Sequence, residues 1–122
     1  MEKIEINNLT LICEPEAEAM SVTWLGKSRD MDPYEKLIPV LENVLEKTNS
    51  RLILKFNALE YINSSTVVPI IKFLKKADQK KINTEIHYNG QISWQKSMFK
   101  AIANLTKVFK FLTVSEENIG PG

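Results

Sequence analysis

The stretch that most limits what this chain can fold into runs from Arg51 to Leu74. Leu52-Ile53-Leu54-Lys55-Phe56 is a dense apolar run, short and bounded by charge, and predicts a buried strand. A connector carrying Leu59, Tyr61 and Ile62 leads to three consecutive hydroxyl residues, Ser64, Ser65 and Thr66. Val67, Ile70, Ile71, Leu74 and Ala77 then recur at helical spacing and predict an amphipathic helix. Strand, loop and helix therefore meet at the three hydroxyls. The amides of a helix start point there and favour a negative group.

The flanking chain repeats this alternation. Ile4, Ile6, Leu9, Leu11 and Cys13 alternate with polar residues and slip by one at Asn7-Asn8, which predicts a bulged strand or two short ones. Glu14-Pro15-Glu16 is expected to turn, because proline cannot donate to a central ladder. Met20, Val22 and Trp24 form the next strand, so the chain should open with a hairpin. A loop is expected over 26–33, with Asp32 capping the next helix and Pro33 at its first position. Tyr34, Leu37, Ile38, Leu41, Val44 and Leu45 give that helix an apolar face, and it should run to about Lys47. Further on, Ile82, Thr84, Ile86 and Tyr88 alternate as a strand, and Asn89-Gly90 turns. Trp94, Met98, Ala101, Ile102 and Leu105 are the expected inner stripe of a third helix. Trp94 and Phe99 cannot both face the core fully, which leaves one of them as a possible contact. Val108 to Val114 reads as the last strand.

The expected order is β-β-α-β-α-β-α-β: one α/β domain over 1–115, a mixed sheet with an opening hairpin and then parallel βαβ units, and a polar tail over 116–122. With 122 residues there is enough chain for a core without metal or disulfide. Pro69 removes one helical hydrogen bond, so it is tolerated most easily if the helix starts at Thr66 or later.

Local pattern and element order both resemble the STAS domain, the fold of the anti-sigma factor antagonists. Its signature is a strand, a polar loop, Asp-Ser-Ser-Gly-Leu and an apolar helix. Residues 52–66 lie on it without a gap and keep both serines, and the resemblance extends over about 4–114. Gly26 and Asp30 loosely match a glycine and an aspartate of the same domain. Three positions depart from the pattern. Lys55 replaces an acid at the strand end, Asn63 replaces the acid before the serine, and Thr66 replaces the glycine. A closing fourth helix has no counterpart in 115–122.

The resemblance implies a regulatory protein that is not an enzyme. Ser64 would be the phosphorylation site, framed for partner binding by Asn63, Ser65 and Thr66. The implied partners are an anti-sigma factor or serine kinase of the histidine-kinase-like ATPase class, and a metal-dependent serine phosphatase. The departures at Lys55, Asn63 and Thr66 favour an alternative, an unswitched scaffold or small-ligand module. If the serines are only structural, one of them should be the helix cap.

Other chemistry finds little support. A single histidine, His87, sits among polar neighbours on a strand, and no second histidine or cysteine could complete a zinc site. Cys13 reads as a small core residue, and no glycine-rich phosphate loop occurs. Glu14, Glu16 and Glu18 read as solvated turn carboxylates. No cofactor, metal or membrane partner is expected. The lone cysteine and the charged start, Met1-Glu-Lys-Ile, point to a reducing cytoplasm. Net charge is −5 over 1–50 and +6 over 51–122. The basic half raises nucleic acid as a partner through Lys72, Lys75, Lys76, Lys80 and Lys81, although lysines late in a helix also suit its dipole.

Overall fold

The computed structural model describes residues 1–117. Apolar alternation makes three antiparallel strands at the start, β1 (Glu2–Ile6), β2 (Leu9–Glu16) and β3 (Ala19–Ser28). Helix α1 (Tyr34–Lys47) follows, then β4 (Arg51–Lys55), β5 (Leu59–Ile62), α2 (Ser64–Gln79), β6 (Asn83–Tyr88), α3 (Ser93–Ala103), a 3-10 turn (Asn104–Lys107) and β7 (Leu112–Glu116). The sheet order is β1-β2-β3-β4-β6-β7, with β4, β6 and β7 parallel to β3.

Strands β4 and β5 both pair with β3, at Ala19–Thr23 and at Gly26–Ser28 respectively. They are one strand interrupted at 56–58, so the expected connector is a strand too. Leu11, Val22, Trp24, Leu52, Leu54 and Ile86 point to the helices and are sealed from solvent. Thr23, Lys55, His87 and Ser115 stand side by side on the alternate positions and are half-exposed. The helices therefore share one face of the sheet.

Several expectations need correction. Of the two readings of the slip at Asn7-Asn8, the bulge is set aside and two strands hold: the slip is a turn between β1 and β2, with Asn7 at φ 55°. β2 runs through Pro15, and the chain turns at Ala17 instead. β1 pairs with β2 only as far as Cys13, so Pro15 lies where β2 has become an edge and no donor is needed on that side. β3 reaches Ser28, which shortens the expected loop. Gly26 sits inside it at φ 84°, where an added Cβ would come 2.2 Å from the Asn8 carbonyl oxygen. Only glycine fits that crossing. Asp32 does not cap α1: Pro33 is the N-cap and no side chain caps it.

The last helix and strand also shift. The buried stripe of α3 is Gln95, Phe99 and Ile102, while Trp94 and Met98 are half-buried and Ala101 is exposed. Phe99 fills the core against Phe56 (4.8 Å between ring centroids) and Tyr88 (5.5 Å). Residues 108–111 form a turn, and the strand begins only at Leu112. Of the expected tail over 116–122, Glu116 ends β7, and 118–122 lie outside the described residues.

Candidate functional site

The three hydroxyls lie where β5 passes into α2, at the carboxyl end of the parallel strands. Ligand and partner sites of α/β sheets gather at that end. Asn63 is the N-cap, in extended conformation. Its Oδ1 accepts from the Thr66 amide at 3.1 Å and from the Thr66 hydroxyl at 2.6 Å. The cap is therefore the asparagine, and neither serine fills that role. Thr66 gives its proton to Asn63, so the hydroxyl of Ser28, 2.6 Å away, donates to Thr66 Oγ1. Thr66 is fully buried. Its hydroxyl is spoken for on both sides and closed to any enzyme.

The same asparagine ties the start of α2 to its neighbours. Asn63 Nδ2 donates to the Asp30 carbonyl at 2.7 Å, and Asn63 N donates to the Ser28 carbonyl at 3.0 Å. The Asp30 carboxylate accepts from Asn7 Nδ2, 2.8 Å from each oxygen. The β1–β2 turn, the β3–α1 loop and the first turn of α2 are thus held together. An acid at position 63 could accept the two Thr66 bonds but could not donate to Asp30.

Ser64 and Ser65 are exposed in the first turn of α2, which carries no acidic residue. Arg29, Tyr61 and Asn63 line a shallow hollow beside them. The Arg29 guanidinium lies over the Tyr61 ring at 5.9 Å. Tyr61 and Val68 are 44% and 61% exposed, and Met31 is 93% exposed. The site is an outward polar patch with apolar side chains around it. Pro69 falls in the second turn of α2, because the helix begins at Ser64 and not at Thr66. The helical bond it lacks would have gone to the Ser65 carbonyl, at the site itself.

Other candidates sit elsewhere. His87 Nδ1 lies 3.0 Å from a Glu117 carboxylate oxygen, and Lys55 lies 3.3 Å from Glu16, both on the helix-free face. Glu14 and Glu18 are exposed. Cys13 is buried, and burial, with Glu2 next in effect, pushes its thiol up. It borders an apolar groove of about 250 Å³ between β1–β3 and α1, at the far end of β3 from Ser64. Among the described residues no three His, Cys, Asp or Glu side chains gather as a metal site. No helix among them is long and apolar enough to cross a membrane.

Sequence reasoning missed Ser28, Arg29 and the buried Gln95. A serine ending an apolar alternation was the available signal for Ser28. Nothing local marks Arg29 or Gln95.

No family model and no curated protein matches this sequence. Solved structures do match its fold. An anti-sigma factor antagonist from Mycobacterium paratuberculosis superposes with TM-score 0.65 at 16% identity, covering 90% of each chain. The anti-sigma factor antagonist SpoIIAA in its unphosphorylated form gives 0.59 at 11%, covering 88% of this chain and 89% of that one. A chain from the complex of diguanylate cyclase SiaD with its activator SiaC, from Pseudomonas aeruginosa, gives 0.63 at 17%, covering 96% and 100%. The chain has the SpoIIAA-like STAS fold.

Proposed function

We propose that this chain is a regulatory binding protein of the cytoplasm, without catalytic activity of its own, that docks a partner through the start of α2. Phosphorylation of Ser64 switches that docking. The observation that carries this reading is the division of labour among the hydroxyls. Asn63 and Thr66 make the cap and the buried bonds, which leaves Ser64 and Ser65 exposed with no structural duty in view. A phosphate there adds nearly two negative charges beside helix amides, so the fold accepts it while a partner seated on Tyr61 and Val68 meets charge and bulk. The partner is an anti-sigma factor or serine kinase of the histidine-kinase-like ATPase class, with a metal-dependent serine phosphatase to reset the serine.

A second reading has the same surface raise the activity of a nucleotide-making enzyme. It is favoured by the likeness, over nearly the full length of both chains, to a chain from the SiaD–SiaC complex.

Intact mass after incubation with ATP and cell lysate tests the switch. One added phosphate is expected in wild type and in Ser65→Ala, and none in Ser64→Ala. A phosphate that survives Ser64→Ala, or no phosphate while a known substrate is modified, would sink it.

A further inference from the structure

We propose that the flank formed by the outer side of α3 and the turns before β6 and β7 is a docking surface for an anionic membrane. The proposal is independent of the phosphorylation switch. Residues 86–115 contain no Asp or Glu and carry Lys96, Lys100, Lys107 and Lys110. Lys96, Lys100 and Lys107 fall at i, i+4 and i+11, on the solvent side of α3 and its 3-10 extension, and all are exposed. The stripe ends in the turn before β7, where Val108 stands 70% exposed between Lys107 and Lys110.

The fold adds a fifth amine. The Phe111 amide donates to Asp78 Oδ1 at 2.9 Å, and the Thr84 amide donates to the Phe111 carbonyl at 2.8 Å. These bonds clamp the turn before β7 to the turn before β6, which carries Lys81. Among the described residues, no ion pair engages these five lysines. Lys80 is left out, because it shares a groove with Glu42 and Glu46.

This chemistry fits lipid headgroups better than other polyanions. Protein interfaces are depleted in lysine and enriched in arginine and aromatic anchors, and this surface presents neither. Single-stranded nucleic acid is held on exposed stacking rings, and here Phe109 and Phe111 are half-buried. A stripe of amines ending at one projecting aliphatic side chain suits an interface in which amines meet phosphates and an alkyl group reaches the acyl boundary. Such attachment is peripheral and reversible.

Vesicle co-sedimentation of the full chain tests this, comparing phosphatidylcholine alone with an equal mixture of phosphatidylcholine and phosphatidylglycerol. Binding is expected only to the mixture, at an ionic strength of about 0.1 M, and should vanish near 1 M, where screening shortens to about 3 Å. Lys107→Glu/Lys110→Glu should lower the bound fraction by about tenfold or more, with Lys107→Gln/Lys110→Gln and Val108→Ser in between. Lys3→Glu/Lys36→Glu makes the same change in net charge elsewhere and should bind like wild type. Several results would overturn the proposal: no binding to the mixture, equal binding to neutral vesicles, or the same loss in both charge-reversed variants. Retention on duplex DNA without retention on vesicles would overturn it as well.

Discussion

Helices α2 and α3 both start just past the carboxyl end of a parallel strand, yet they use their first turns in opposite ways. At α2 a side chain caps the helix, a threonine is buried beneath it, and two serines are turned outward. At α3 no side chain caps the helix, and its third residue, Gln95, is turned inward and fully buried. Gln95 Nε2 donates to the carbonyls of Phe56 (2.8 Å), Leu59 (3.0 Å) and Asn57 (3.3 Å), while its Oε1 accepts from the Asn89 amide at 2.8 Å. Those three carbonyls lie in or beside the break between β4 and β5, where the ladder cannot satisfy them. One helix start therefore repairs the sheet, and the other presents hydroxyls to solvent. Function is better sought at the start whose exposed groups are not committed to structure.

The sharpest way to break this contrast is Gln95→Leu. It strands the Asn57 and Leu59 carbonyls and the Asn89 amide, while the Phe56 carbonyl keeps its bond from the Leu59 amide, and should cost about 3 kcal/mol, seen as a Tm roughly 10 °C lower. A loss below 1 kcal/mol in denaturant melts would show that the strand break tolerates water and that α3 is no clamp.

Thr66→Val comes next. It keeps the shape but removes the hydroxyl that joins Asn63 to Ser28. The expected loss is about 1–2 kcal/mol, measured by urea unfolding. Phosphorylation at Ser64 should persist, since Thr66 is not the acceptor.

Asn63→Asp separates capping from loop tethering. The carboxylate still accepts from Thr66 and gains from the helix dipole, while the donor to Asp30 is lost, so the two effects should offset to within about 1 kcal/mol. Faster amide hydrogen exchange confined to the amides flanking Asp30 is the readout. Unchanged exchange there would show that the asparagine does not tether the loop.

The smallest effect is expected for Ser64→Ala and Ser65→Ala, each within about 0.5 kcal/mol of wild type in stability. If either costs more than 1 kcal/mol, that serine has a structural role, and the outward reading of α2 fails for it.

Much of the fold is legible in the sequence because apolar periodicity is a local property. Leu52–Lys55 of the apolar run lie in a strand that ends before Phe56, residues 34–47 are a helix with Leu37, Leu41, Val44 and Leu45 inside, and 82–88 alternate as expected. The order of elements and the ungapped match of 52–66 also place Ser64 at a strand-to-helix junction. Periodicity is less informative where a segment is short or a polar residue is buried. Leu59–Ile62 has too few residues to show a period, and its strand character comes only from lying beside β3. In α3, pattern favoured Trp94 and Met98 over Gln95, because glutamine enters a core only when carbonyls wait for it, and those come from 36 to 39 residues earlier in the chain.

The sequence by itself determined that the chain alternates strands with amphipathic helices and that two serines open the central one. Those features are set by side-chain periodicity and by residues adjacent in the chain. Which hydroxyl is free could be decided only by the tertiary structure. Asn63 takes the cap because Asp30 and Thr66 converge on it, and Thr66 is withdrawn because Ser28 arrives from the end of β3, 38 residues away. A hydrogen bond depends on where two groups meet in space, and position along the chain does not reveal that.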